Sequence, residues 1–365
     1  MAAQEHAIDT VDSAAAPALP SADQTAAYDY HLPVRRIAQT PLAQRDQSRL
    51  LHLRPGGAIA DTSVARLAEL LQPGDLVVAN SSRVRAARVI TEHGGREVEL
   101  LVLERRPPAA DAYWCLVRPS RHLPPGTVVH CGLGLQATIG DRARDDTGRR
   151  TVVFHSDIGV EDAIAMVGAV PLPPYIHQPL ADAGRYQTTY AQGPPLSAAA
   201  PTAGLHITDS VRTALADRGI GWVTVELTVG LGTFAPMRAD SLPEHRMHAE
   251  EYAIGDDAVA AISDAQRCGG RIIAVGTTTV RALEASARDH NGRVVAGHGR
   301  TDIFITPGFP FALTDGLLTN FHQPRSTLLV LLAAMIGPQW RSAYDHALAG
   351  DYRFLSFGDC MLCWR

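Results

Sequence analysis

The sequence contains no lysine; all 33 basic residues are arginines. That excludes a Schiff-base amine and the lysine of a phosphate-binding P-loop. Long apolar runs are missing too. The longest, LLVLLAAMI at 328–336, is about half of the ~20 residues that a bilayer span needs, and the N-terminus lacks the basic and apolar regions of a secretory signal. A cytoplasmic protein with no membrane partner is expected, and a monomer. Five cysteines, an odd number scattered through the chain, make no disulfide framework, and Cys360 and Cys363 lack the second pair of a zinc site. They read as buried or idle thiols. A net charge of −5 argues against wholesale nucleic-acid binding, yet residues 81–150 carry twelve arginines against eight acids.

What is present is ample for two domains: 365 residues, 46% of them hydrophobic. The most telling stretch is RIIAVGTTTVRALE (271–284). Its apolar run reads as a strand buried on both faces. Gly276 breaks the run, and Thr277, Thr278 and Thr279 offer capping hydroxyls before a helical pattern, so backbone N–H groups should face a crevice at the strand's carboxyl end. Such a crevice suits an anion or a polar ligand. A second copy of the device follows: LLTNF (317–321) is strand-like, His322 to Arg325 form a polar turn, and Ser326 or Thr327 can cap the next helix.

Along the chain, residues 1–25 are rich in Ala, Pro and Asp and are expected to be a disordered tail. Residues 76–155 break into short alternating runs, with Gly94-Gly95 marking a hairpin, and read as a small antiparallel β-barrel. Helical and strand signals alternate elsewhere, so the expected fold class is α/β. A discontinuous main domain, residues 26–75 and 156–365, would carry the barrel as an insertion. The barrel arginines Arg83, Arg85, Arg88, Arg118 and Arg121 can solvate the outside or meet phosphates; composition favours solvation.

Several polar positions could carry chemistry. His206 ends a small-residue loop just before a helix that Thr208 or Asp209 can cap, a setting that favours a neutral imidazole. The strand 222–229 runs into Gly230-Leu-Gly232-Thr233, where a ligand could approach the backbone closely. Glu244, His245 and His248 concentrate titratable groups in one polar connection. A metal site is a weaker reading, because His245 and His248 lie three apart rather than the four of an HExxH helix and Pro243 flanks them.

These motifs, taken together, resemble one family: the S-adenosylmethionine:tRNA ribosyltransferase-isomerases of queuosine biosynthesis. The match is carried by RDQSRL (45–50), APTAGLH (200–206), VGLGTF (229–234), EHRMH (244–248), AVGTTTVRALE (274–284), TDIFITPG (301–308), LLTNFHQPRSTLL (317–329) and YRFLSFGD (352–359), in family order over about 28–362. The resemblance implies an α/β sandwich-like main domain with an inserted β-barrel. It also implies transfer and isomerisation of the ribosyl part of S-adenosylmethionine, as co-substrate, onto 7-aminomethyl-7-deazaguanine in a tRNA anticodon, releasing adenine and methionine; no metal is implied.

For that reaction the candidate acids and bases are His206, Glu244, His245, His248 and His322. Gly230, Gly232, Thr233, Thr277, Thr278, Arg281 and Asn320 are expected to contact S-adenosylmethionine. Asp46, Arg49, Asn80, Arg83, Asp302 and Arg325 are expected to contact the tRNA substrate. This chain departs from the family pattern Asn-Asp-Thr-Arg-Val with NSSRV at 80–84, and Leu196 precedes Ser197 where a glycine is usual. The missing carboxylate at Ser81 raises a related deazapurine as an alternative acceptor. Two rival readings remain at this level: a metal-dependent hydrolase using His206, His245 and His248, and a tRNA-binding module without chemistry.

Overall fold

A computed structural model describes residues 21–106, 111–144, 148–230, 237 and 239–365. Its backbone is a nine-stranded mixed sheet, in the order Gly297–Thr301, Glu250–Ile254, Gly221–Leu227, Leu76–Asn80, Ile272–Val275, Gly316–Asn320, Cys360–Trp364, Arg49–Leu53 and Ile59–Ser63. The four strands from Gly221–Leu227 to Gly316–Asn320 are mutually parallel. Parallel strands must be covered on both faces, and these are. Leu76, Val78, Ile272 and Ala274 enter one core, with the helices Asp256–Arg267, Thr277–Asp289, Thr327–Ile336 and Gln339–Ala349. Their neighbours Val77, Ala79, Ile273 and Val275 enter a second core, closed by the helix Asp209–Asp217 and the 3₁₀ segment Val64–Leu70. The main body is therefore a three-layer α/β arrangement, as expected.

The six strands Arg88–His93, Arg96–Arg105, Ala112–Arg118, Arg150–His155, Leu135–Arg142 and Val128–Gly132 form an antiparallel sheet in that order. Burial alternates along most of them, as a one-sided sheet requires. The two edges approach closely enough for the Thr91 hydroxyl to donate to the His130 carbonyl at 2.7 Å, so the sheet curls into a nearly closed barrel. Gly94 and Gly95, both at positive φ, make the expected two-residue hairpin.

Two sequence boundaries change. The strand Leu76–Asn80, expected to open the barrel, sits at the centre of the main sheet. Its residues LVVAN are buried without alternation, which is the signature of a strand covered on both faces and not of a barrel wall. Residues 1–20 of the expected tail lie outside the described residues. Thr25 is buried; its hydroxyl donates to the Ala239 carbonyl at 2.7 Å and its N–H to the Asp240 carbonyl at 2.9 Å, so the tail does not extend to that position.

Candidate active site

Three parallel strands end side by side at Asn80, Val275 and Asn320. The crevice beyond carboxyl ends of such strands is where α/β folds bind ligands. Here it is a cleft walled by Ala200 to Ala203, Gly276 to Thr278, Thr319 to Gln323, Tyr175 and Ser356. Gly276 adopts φ 84° and turns the chain straight from strand to helix. That correction matters: the threonines do not cap. They lie inside the first turn, with no side chain capping the helix, and Thr279 returns its hydroxyl to the Val275 carbonyl at 2.7 Å. The positive end of the helix Thr277–Asp289 thus faces the cleft with no side chain capping it. At the second turn the expectation holds: Ser326 caps the helix Thr327–Ile336 by accepting from the Leu329 N–H.

Asn320 is the most constrained polar group on the wall. Its Oδ1 accepts from the Thr202 hydroxyl at 2.9 Å, and its Nδ2 lies 3.1 Å from His206 Nε2 and 3.5 Å from the Asp359 carbonyl. The Asp359 carbonyl can only accept, which fixes Nδ2 on that side and makes His206 Nε2 an acceptor. The other ring nitrogen donates to the Arg45 backbone. His206 therefore stands behind the cleft wall, with both nitrogens engaged. Burial lowers its pKa to about 4, the Arg45 bond opposing and the Arg353 and Arg45 charges assisting. A ring so placed orients Asn320 and has no free nitrogen for a substrate.

His322 is arranged differently. It lines the cleft, its Nε2 lies 2.9 Å from Thr319 Oγ1, and burial lowers its pKa to about 3. Its backbone is clamped from both sides, the N–H donating to Tyr344 Oη at 2.8 Å and the carbonyl accepting from Tyr30. Across the cleft the Tyr175 hydroxyl lies 2.6 Å from Ser356 Oγ, and burial raises its pKa to about 12.

Asn80 supports the cleft from below. Its Nδ2 donates to the Leu227 carbonyl at 3.0 Å and to Thr278 Oγ1 at 3.2 Å, while Oδ1 accepts from the N–H groups of Ser82 and Leu227. Ser81, the departure from the family pattern, is buried away from the cleft, with its hydroxyl 3.3 Å from the Val225 carbonyl.

The remaining candidates fall elsewhere. Arg281 forms a buried ion pair with Glu250, whose other oxygen accepts the Gly230 N–H at 2.9 Å; the pair thus holds the loop beside the cleft instead of lining it. Glu244 and His248 are exposed, and His245 packs edge-on against Phe304 with its pKa lowered by burial and then by His248. Asp46 accepts from the hydroxyls of Thr208 and Ser210, and Arg49 stacks 3.8 Å over the Tyr352 ring. Arg83 and Asp302 are exposed, while Arg325 reaches toward Asp240 at 3.9 Å. Gly232 and Thr233 lie outside the described residues. Among the described residues no group of three or more His, Cys, Asp or Glu comes together as a metal site, and no helix is long and apolar enough to cross a membrane.

Sequence reasoning missed Thr202, Tyr175, Thr319 and Glu250. The first two sit in APTAGLH (200–206) and in PLPPY (171–175), whose small and rigid residues were a usable signal. Glu250 gave none, since an acid in the strand EEYAI reads as solvated.

Comparison with known proteins identifies the family. The model of the family described as queuosine biosynthesis protein matches residues 25–363. A relative from Heliobacterium modesticaldum, named S-adenosylmethionine:tRNA ribosyltransferase-isomerase, is 47% identical over 93% of this chain and 99% of its own. One of the same name from Pelotomaculum thermopropionicum is 45% identical over 92% and 98%. The crystal structure of S-adenosylmethionine tRNA ribosyltransferase from Thermotoga maritima is 34% identical, with TM-score 0.52, over 92% of this chain and 99% of that one. With a family match from end to end of the described body and relatives this similar, the chain belongs to the queuosine biosynthesis protein family.

Proposed function

We propose that this protein is an S-adenosylmethionine:tRNA ribosyltransferase-isomerase that modifies 7-aminomethyl-7-deazaguanine in a tRNA anticodon, giving the epoxycyclopentanediol nucleoside with release of adenine and methionine. The observation that carries the proposal is the convergence of two strand-turn-helix devices, at Gly276 and at Asn320, on one cleft in a chain 47% identical to an enzyme of that name.

The sulfonium of S-adenosylmethionine acidifies the adjacent C5′–H, so the reaction needs a proton acceptor there and a donor for the departing adenine. Of the five candidate acid–base residues, His322 alone lines the cleft. In the tautomer that carries its proton on Nε2 and donates it to Thr319 Oγ1, Nδ1 is the nitrogen left to accept a proton. Burial keeps the ring neutral at pH 7, so it stands in the proton-accepting form, and the same burial makes it a weak base. Asn320 and the uncapped helix N-terminus at Thr277 and Thr278 would bind the polar parts of S-adenosylmethionine, the latter its carboxylate. Neither the metal-hydrolase reading nor an altered acceptor draws support from the geometry, since His245 and His248 stand outside the cleft wall and Ser81 is turned into the main sheet.

The domain division goes with this reading: a main domain of residues 21–87 and 170–365, the barrel with its helix Val160–Val167 inserted between, and a monomer working in the cytoplasm on tRNA. The test is incubation of the purified protein with S-adenosylmethionine and precursor-bearing tRNA, followed by nucleoside mass spectrometry. The epoxidised nucleoside and free adenine should appear together; adenine release without it would remove the stated acceptor, and release of neither would remove the enzyme reading.

A further inference from the structure

The barrel arginines divide into two populations. At the end where the chain enters and leaves, Arg85 pairs with Glu161 at 3.0 Å, Arg88 with Glu99 at 3.3 Å and Arg105 with Glu161 at 3.0 Å. Their charge is spent internally. At the opposite end, five residues up the strand from His155 to Arg150, or roughly 17 Å at ~3.3 Å per residue, the balance differs. A shallow hollow there is bordered by Arg121, Arg142, Arg150 and a single carboxylate, Asp141.

The hollow is built, not incidental. Arg150 is buried and donates to the Gly140 carbonyl at 2.7 Å, to the Ser120 carbonyl at 3.1 Å and to the Leu123 carbonyl, which pins the turn that carries Arg121. Arg142 donates to Ser120 Oγ at 3.3 Å from the facing strand. Arg121 and Arg142 are exposed, and neither forms an ion pair among the described residues. Among the described residues that border the hollow, the two exposed guanidiniums of Arg121 and Arg142 and the buried one of Arg150 face one carboxylate, Asp141.

We propose that this corner of the barrel is a docking surface for phosphodiester groups of the RNA substrate, distant from the cleft that performs the chemistry; the proposal rests on the reading that this protein acts on tRNA. Guanidinium forks suit phosphate oxygens. An open hollow holds a lone anion poorly, but an extended polyanion that also reaches the cleft gains from each contact. The corner would thus hold the RNA in register, with no part in its sequence reading.

The test uses the full-length protein and a fluorescently labelled precursor tRNA, with binding measured by anisotropy from about 50 to 200 mM salt. The double variant Arg121→Ala/Arg142→Ala should bind about tenfold more weakly at the lower salt, with the log-log salt slope shallower by roughly 1.4 to 1.8. Arg293→Ala, which removes an exposed arginine beyond the far end of the helix Thr277–Asp289, should leave the slope unchanged. Thermal stabilisation by S-adenosylmethionine should be the same in all three proteins, and the KM for tRNA should rise in step with the loss of binding. An unchanged affinity and slope in the double variant overturns the proposal. A wild type that binds tRNA with the expected slope but releases no adenine instead sinks the enzymatic reading and leaves the docking surface standing.

Discussion

His206 Nε2 accepts a hydrogen bond from Asn320 Nδ2 at 3.1 Å, so the histidine positions an amide on the cleft wall. Removing the acceptor leaves a buried donor unpaired, at a cost of about 1–3 kcal/mol, and frees Asn320 to rotate. His206→Ala should lower adenine release and raise the KM for S-adenosylmethionine, while His206→Gln, whose side-chain carbonyl can accept, restores most of the rate. Asn320→Ala should be at least as damaging, and the double variant no worse than the poorer single one, because the two act through one contact. A base role predicts instead that Gln is as inactive as Ala; kcat and KM for the set decide between them.

Ser81 offers a contrasting case, where a departure from the family pattern lands in the sheet. Its hydroxyl faces the Val225 carbonyl at 3.3 Å in a buried setting. In Ser81→Asp a carboxylate would meet a carbonyl oxygen with no donor between them, a loss of about 1–3 kcal/mol. The expected outcome is a lowered melting temperature with the same nucleoside product. A new product from either protein, detected in tRNA digests by mass spectrometry, would restore a recognition role to this position.

The sequence made the strand-turn-helix at 271–284 legible because the period changes from an unbroken apolar run to helical spacing at a single glycine. It could not show that Thr277 to Thr279 lie within the helix, since a threonine before an apolar helix face reads alike as a cap or as a first-turn residue. The barrel was visible through its alternation, but LVVAN was read with it because the next alternating run follows so closely. His206 and His322 were equivalent as letters. Their roles separate only through tertiary contacts, one ring packed behind Asn320 and the other beside the cleft. Arg281 was misplaced for a related reason: it lies on a helix, and its partner Glu250 lies 31 residues away in sequence, on a sheet strand.

The two buried histidines make stability depend on pH in a defined direction. An imidazole in the unfolded chain titrates near 6.5, whereas in the folded protein His206 titrates at about 4 and His322 at about 3. Between these values the unfolded chain binds protons that the native chain refuses, so stability rises with pH through the window and is lost as pH falls below 6.5. The loss is of the order of 1.4 kcal/mol per histidine for each pH unit. Calorimetric melting temperatures at pH 7.5 and pH 5 should differ, and His206→Gln should reduce the difference. An equal pH dependence in that variant would mean that His206 is already charged or is solvated in the native state.

The Arg281–Glu250 pair yields the largest expected effect on stability. Both side chains are 6% exposed, Arg281 Nε also donates to the Ile303 carbonyl at 3.3 Å, and Glu250 holds the Gly230 N–H. Breaking a buried pair from one side strands the other charge and costs about 3–5 kcal/mol, whereas replacing both groups with apolar residues of similar volume is often neutral. Arg281→Met alone should therefore unfold at markedly lower urea concentration, and Glu250→Leu alone likewise. In Arg281→Met/Glu250→Leu much of that loss should return. Activity should not return with it, because the double variant still lacks the acceptor that fixes Gly230 next to Val229 on the cleft wall. Urea unfolding of the four proteins gives the coupling energy, and adenine release from the double variant separates the two roles. Full activity in a restabilised double variant would show that the pair serves folding alone.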